Sequence, residues 1–126
     1  MPDDTNQNKN IHEIHGLHEE EVRRILSKMK HESEEQQTAS LASSLGFPYI
    51  DLNIFPVDPE TLRTIPKEQA EKYELVCIQR AGKNVGLAFS NIANPGFKDY
   101  LLHLEKEEGF KIKLFLCSKT GFQKTL

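Results

Sequence analysis

The sequence of 126 residues has no tryptophan, only two cysteines and no apolar run of about 18 residues that could cross a bilayer. It also lacks the apolar core of a secretion signal. We therefore expect a cytoplasmic protein that neither is exported nor inserts directly into a membrane. Cys77 and Cys117 lie in apolar, strand-like runs, which is typical of buried thiols that stay reduced.

The motifs of common enzyme chemistry are missing as well. The pair Gly82-Lys83 resembles the end of a phosphate-binding loop. A Walker A motif would need glycine at position 77 and serine or threonine at position 84, where the chain has Cys77 and Asn84. We therefore interpret Gly82-Lys83 as a hairpin turn. No set of nucleophile and base and no glycine-rich cofactor loop stands out, so we expect no catalytic residue and no cofactor.

Two groups of side chains could suggest a metal or a carboxylate site. His12, His15 and His18 recur at threes, but Gly16 interrupts the run and no cysteine lies nearby. We interpret them as surface histidines and expect no metal site. Asp51 and Asp58 are interpreted as a strand end and a helix cap rather than as a catalytic pair.

Charge is divided unevenly along the chain. Residues 1–46 contain nine acidic and five basic residues, whereas residues 47–126 contain ten and eleven, which together give the net charge of −3. Neither part is strongly basic, so a nucleic-acid partner is not expected.

The N-terminal part is predicted to be a disordered tail over residues 1–10, followed by a helical extension over 11–37. One helix runs to about Lys30, with acidic residues in its first turn and lysines in its last. Its narrow apolar stripe consists of Leu17, Val22, Ile25, Leu26 and Met29. Ser33 with Gln36 resembles a capping box that begins a second helix, so we expect the polar segment 32–40 to act as a joint.

The remaining residues, 38–126, are predicted to form an α+β domain with a small, roughly three-stranded sheet. Gly46 ends the second helix and Pro48 forces an extended arm. Asp58 caps a short helix, and Pro66 starts another. Strands are expected at Tyr73–Arg80 and Val85–Ser90, joined as a hairpin, and at Lys111–Cys117. A helix from Asn94-Pro95 to Gly109 precedes the third strand, and Ser118 caps a last helix.

Alternation along these elements identifies candidate core residues. Leu87, Phe89, Leu101 and Leu114 lie on the apolar side of their predicted strands or helix. In the helix before Gly109 the candidate core positions are Phe97, Leu101, Leu102 and Leu104.

Two motifs carry a resemblance to a known family. L-G-F-P-Y-I-D-L spans Leu45 to Leu52, and V-D-P-x-x-L-x-x-I-P spans Val57 to Pro66, followed by Ala70 and Tyr73 before a strand. In this order and separation they resemble the N-terminal domain of the type II secretion and type IV pilus assembly ATPases. The resemblance covers roughly residues 38–126.

The resemblance implies a role in bacterial protein transport or pilus assembly. In that family this domain precedes the catalytic domains and is not the motor, so a longer parent chain would be the ATPase. It docks the ATPase to the cytoplasmic domain of an inner-membrane platform protein, which would make the localisation peripheral to that membrane through partners. The apolar stripe from Leu17 to Met29 is the predicted docking element, and packing of the same stripe onto the chain's own sheet is the alternative.

The resemblance also implies an alternative. Some family members bind cyclic di-GMP through tandem helical motifs that contain R-L-G. Here Ser44 precedes Leu45-Gly46, and Arg23-Arg24 are followed by isoleucine and leucine. Docking is therefore the preferred function, and cyclic di-GMP sensing remains the alternative.

Overall fold

The computed structural model describes residues 19–126, which contain five helices and three strands. The helices are α1 (Glu19–Leu45), α2 (Pro59–Leu62), α3 (Lys67–Tyr73), α4 (Phe97–Glu107) and α5 (Lys119–Thr125). The strands are β1 (Leu75–Ala81), β2 (Asn84–Phe89) and β3 (Lys111–Leu116). The predicted α+β class is confirmed. The predicted disordered tail over residues 1–10 lies outside the described residues.

The N-terminal prediction of two helices is wrong, because a single helix, α1, takes their place. Ser33 lies inside this helix and caps nothing, and the segment 32–40 is helical rather than a joint. From Glu19 to Leu45 the sequence contains no glycine or proline that could break a helix. The predicted stop is confirmed at Gly46, whose φ of 82° suits a residue without a Cβ atom.

The chain divides into two compact units, Met1–Glu34 and Glu35–Leu126. Within the second unit the sheet has the order β1-β2-β3. Strands β1 and β2 form the predicted antiparallel hairpin, with a register shift between Cys77 and Gln79. Strands β2 and β3 are parallel, and α4 makes the crossover between them.

The core lies between the sheet and the helices packed on it. Leu87 and Phe89 are fully buried, as predicted, and Phe89 packs against Phe97 of α4 with ring centroids 5.1 Å apart. On β1, Val76 is buried together with Ile65 and Ala70 beside the short helices.

Three core predictions need correction. Leu101 and Leu114 are half-buried rather than buried, and the predicted core position Leu102 is 49% exposed. The buried face of α4 uses Phe97 and Leu104, with Tyr100 half-buried between them. Leu102 lies about 100° further around the helix than Leu101, at the margin of this face, where about half of its side chain is in water.

Element boundaries differ from the prediction at Tyr73 and at Pro66. Tyr73 belongs to α3, and Glu74 adopts a left-handed φ of 52° before β1 begins at Leu75. Asp58 caps α2 as predicted, with its carboxylate accepting the Thr61 N–H. Pro66 is the N-cap of α3 rather than its first residue.

Truncation of Leu87 should strongly destabilise the protein. Leu87→Ala removes buried methyl groups at the centre of the sheet and leaves a cavity, so we expect a loss of about 2–5 kcal/mol in the free energy of unfolding. Leu102→Ala is the matched control, because half of that side chain is already in water, and it should cost less than about 0.5 kcal/mol. Urea denaturation followed by circular dichroism measures both. Equal losses for the two variants would contradict the placement of the core.

Candidate functional site

Four of the five predicted docking residues lie on one side of α1. Val22, Ile25, Leu26 and Met29 recur at spacings of three and four, which places them within one stripe of the helix. Ile25 is 49% exposed, and Leu26 and Met29 are each 60% exposed. The fifth residue of the prediction, Leu17, lies outside the described residues. We call the described four the apolar stripe.

The rest of this part of α1 is charged. Glu19, Glu20 and Glu21 occupy its first turn, where the positive end of the helix dipole stabilises carboxylates. Arg23 forms an ion pair with Glu19 at 2.8 Å, but both side chains are largely in water. Such exposed pairs contribute little to stability. This part of the helix is amphipathic, with the apolar stripe on one side and charged residues on the other.

A second group of functional side chains was not predicted, and it surrounds a buried carboxylate. Glu35 is only 7% exposed. Its oxygens accept hydrogen bonds from the hydroxyls of Tyr49 and Ser118 and, at 3.2 Å, from the amide of Asn53. We call Glu35, Tyr49, Asn53 and Ser118 the Glu35 cluster. These three donors are neutral groups.

Two of the donors in the Glu35 cluster make further local hydrogen bonds. Asn53 donates both its backbone N–H and its side-chain amide to Asp51 Oδ1, each at 2.9 Å. Ser118 is the N-cap of α5, and its Oγ accepts the Gly121 N–H at 2.9 Å. The cluster thereby joins Glu35 to the loop after Pro48 and to the start of the last helix.

The environment of the Glu35 cluster keeps its neighbours protonated. Burial, together with the hydrogen bond to Glu35 and its charge, raises the pKa of the Tyr49 phenol well above its usual range. Burial, reinforced by the charge of Glu35, raises the pKa of the Cys117 thiol to about 12. Ser118 is 2% exposed, so its hydroxyl cannot reach a substrate although it bonds to a carboxylate. The cluster is built to hold the fold together rather than for nucleophilic chemistry.

The pair Gly82-Lys83 and the two cysteines have structural roles. Gly82, with φ of 63°, forms the β1–β2 turn with Lys83, whose Nζ donates to the Glu108 carbonyl at 2.8 Å. This is the predicted hairpin turn. Cys77 and Cys117 are buried and unpaired with each other, as predicted, and burial raises the pKa of the Cys77 thiol. The predicted surface histidines His12, His15 and His18 lie outside the described residues.

The chain belongs to the MshEN domain family, whose model matches residues 45–126. It is an N-terminal domain of the type II secretion and type IV pilus assembly ATPases, and such a domain is not itself catalytic. The type IV pilus assembly ATPase PilB of Myxococcus xanthus (strain DK1622) is 30% identical over 93 residues. That match covers 74% of this chain but only 16% of PilB, so the chain spans a small part of its relative.

Two solved structures share the fold. The structure of MshE with cdg matches with a TM-score of 0.63 and 23% identity, over 73% of this chain and 65% of that one. The N-terminal domain of XpsE matches with a TM-score of 0.52 and 14% identity, over 97% and 93%. Within the described residues, none of the helices is long and apolar enough to cross a membrane.

Replacement of Tyr49 by phenylalanine should change how stability depends on alkaline pH. The pKa of this phenol is raised above its ordinary value of 10.0, so the folded chain binds the proton more tightly than the unfolded chain does. The resulting stabilisation is complete below pH 10 and is lost as the pH rises beyond it. The free energy of unfolding should therefore fall more steeply above pH 10 in the unmodified protein than in Tyr49→Phe.

Urea denaturation at a series of pH values measures this difference. Cys77, Tyr100 and Cys117 also titrate in the alkaline range, but they are present in both proteins and cancel in the comparison. The lost hydrogen bond to Glu35 lowers the stability of Tyr49→Phe at every pH. Only the slope of the free energy of unfolding against pH reports the titration of the Tyr49 phenol. Parallel profiles would show that Tyr49 is not coupled to the buried carboxylate.

Proposed function

We propose that this chain is a non-catalytic docking module of a type II secretion or type IV pilus assembly ATPase. In this proposal it links the motor to the cytoplasmic domain of an inner-membrane platform protein. The observation that carries the proposal is the exposed apolar stripe on α1. The chain also belongs to a family of domains that precede the motor domains of ATPases.

The chemistry of the stripe suits a protein partner. Ile25, Leu26 and Met29 keep about half or more of their surface in water, and an apolar stripe of this kind gains free energy when a partner removes it from water. Anchors spaced by three and four are what a helix presents to an apolar groove. Charged neighbours keep the helix soluble without filling that groove.

The proposal places the other functions of the system outside this chain. ATP hydrolysis would be the work of catalytic domains elsewhere in a parent ATPase, since the chain matches only 16% of PilB. Attachment to the inner membrane would come through the platform protein, which would hold the motor at the cytoplasmic side. The predicted extension over 11–37 and domain over 38–126 are the parts that such a module would need.

Cyclic di-GMP sensing is the second candidate. It is supported by the likeness to the structure of MshE with cdg, which matches 73% of this chain. The absence of R-L-G in this sequence weighs against it. Docking is favoured because the apolar stripe offers hydrophobic contacts, whereas a nucleotide with two phosphates needs cations and backbone N–H groups.

A charge placed on the stripe should abolish docking. Ile25→Asp puts a carboxylate where the partner's groove would bury it, so capture of the platform protein's cytoplasmic domain should weaken at least about tenfold. Ser27→Asp adds the same charge to the same helix at an exposed position about 200° further around it, and should leave capture unchanged.

Pull-down and calorimetry with the purified platform domain measure the difference, and a thermal melt checks that both variants are folded. If Ile25→Asp binds as well as Ser27→Asp does, the stripe is not the docking surface. If the unmodified chain fails to bind, the proposed partner is wrong.

Titration calorimetry with cyclic di-GMP tests the second candidate. We expect no heat of binding at micromolar nucleotide, because the helical region lacks the R-L-G signature. A clear isotherm, accompanied by a rise in melting temperature, would promote sensing over docking. Cyclic di-AMP is the control that separates recognition of guanine from general attraction of phosphate.

A further inference from the structure

Strand β3 lies at the edge of the sheet, and its outer side is only partly covered. The arm after Gly46 runs alongside it and forms a single parallel bridge, Tyr49 with Leu116. Leu116 donates its N–H to the Pro48 carbonyl at 2.8 Å and accepts the Ile50 N–H at 3.0 Å. This pairing involves the last residue of the strand, so within the part of the chain that the structure describes the preceding residues form an open edge.

Hydrogen bonds at the two ends of β3 fix which backbone groups point outward. Lys111 and Cys117 donate their N–H groups to the Lys83 and Phe89 carbonyls of the inner neighbour. Because successive residues of a strand alternate in direction, the groups of Ile112 and Leu114 point away from β2, as those of Leu116 do. Among the described residues, no backbone group pairs with Ile112 or Leu114 at this edge.

The two faces beside this edge differ in chemistry. On the side of α4 an apolar groove of about 300 Å³ is lined by Leu101, Leu102, Ile112 and Leu114, with Lys98 and Glu105 at its margins. On the opposite side a groove of about 420 Å³ is lined by residues of all three strands, among them Lys111 and Lys113 with Gln79 and Asn84. No acidic residue lines this second groove within the described part of the chain.

We propose that the edge of β3 binds an extended segment of a partner protein in which acidic and apolar residues alternate. The backbone of that segment pairs with the N–H and C=O groups of Ile112 and Leu114 and adds a fourth strand. Every second side chain enters the apolar groove beside Leu102, and the side chains between them place carboxylates against Lys111 and Lys113.

Charge argues against a second copy of this chain at the same edge. Two β3 edges paired with each other would bring Lys111 and Lys113 of both copies together, and like charges across a strand pair are destabilising. Nucleic acid fits poorly as well, because it has no peptide N–H and C=O groups to pair with the strand and no apolar side chains for the groove beside α4. A partner strand with alternating acidic and apolar residues can pair with the edge, fill the apolar groove and neutralise the lysines.

Binding of a designed peptide tests the proposal directly. The probe is a capped peptide of about eight residues in which glutamate and valine alternate, the length of an ordinary strand. We expect calorimetry to detect binding and amide hydrogen exchange to slow at Ile112 and Leu114. A scrambled peptide of the same composition, without the alternation, should not bind. Failure of the alternating peptide to bind, or unchanged exchange at both amides, would overturn the proposal.

N-methylation of the peptide separates strand addition from other modes of contact. Methyl groups on alternate nitrogens leave one edge of the peptide intact and block the other. One of the two methylated registers should therefore lose at least about tenfold in affinity while the other binds like the parent peptide. Equal affinity of both registers would show that the peptide does not pair with β3.

Protein variants test the two grooves separately. Lys111→Glu with Lys113→Glu should weaken binding of the acidic peptide at least about tenfold and reverse its dependence on salt, because salt then screens a repulsion instead of an attraction. Lys119→Glu with Lys124→Glu makes the same change of charge on exposed lysines of α5, outside both grooves, and should leave affinity unchanged. Leu102→Asp should abolish binding without unfolding the chain, because that side chain is exposed.

Two further outcomes would contradict the proposal. If the α5 pair weakens binding as much as the β3 pair, the peptide responds to net charge alone. If the free chain self-associates and already protects Ile112 and Leu114, a second copy is the occupant. The apolar stripe on α1 takes no part in these measurements, so their result does not depend on the proposed docking function.

Discussion

The parallel pairing of β2 with β3 is the constraint on which the rest of the α/β unit depends. Two parallel neighbours cannot be joined by a tight turn, so the chain must cross over the sheet between them. Helix α4 makes that crossover and covers the face that carries Leu87 and Phe89. The same crossover places β3 at the edge, with its first residues outside the reach of the arm that pairs with Leu116.

The buried carboxylate of Glu35 imposes a second constraint. A charge removed from water must be hydrogen-bonded, and here the donors come from two distant stretches of the chain, the loop at Tyr49 and Asn53 and the cap at Ser118. The removal of any one donor leaves a buried acceptor with fewer partners. Glu35 thereby specifies where the C-terminal part of α1 attaches, which a purely apolar contact would specify less sharply.

The sequence predicts the elements of this fold well where strong local signals exist. Gly46 ends its helix, Asp58 and Ser118 cap theirs, and Gly82 marks the hairpin, since each residue acts on the backbone beside it. The prediction of two N-terminal helices is wrong because Ser33 and Gln36 match a capping box inside a segment that contains no helix-breaking residue. Leu102 falls outside the buried stripe of α4, because Phe97, Tyr100, Leu101 and Leu104 fill the positions i, i+3, i+4 and i+7.

The two candidate sites also differ in whether a local signal predicts them. The apolar stripe could be predicted because its spacing is local to one helix. The Glu35 cluster could not, since Glu35 stands among other polar residues of 32–40 and its partners lie 14 to 83 residues away. Only the role of Ser118 as a cap had a local signal. Contacts of this separation depend on the topology of the whole unit, which the sequence pattern does not encode residue by residue.

The lysines of β3 show why an edge strand and a binding edge can have the same sequence. Lysines at an edge prevent identical strands from pairing, which protects the protein from aggregation. The effect is selective, because the lysines repel a positively charged strand and attract a negatively charged one. Lys111 and Lys113 alternate with Ile112 and Leu114, so charge and apolar surface lie on opposite faces of one edge. The pattern that excludes a second copy is therefore the pattern that would select an acidic, alternating partner strand.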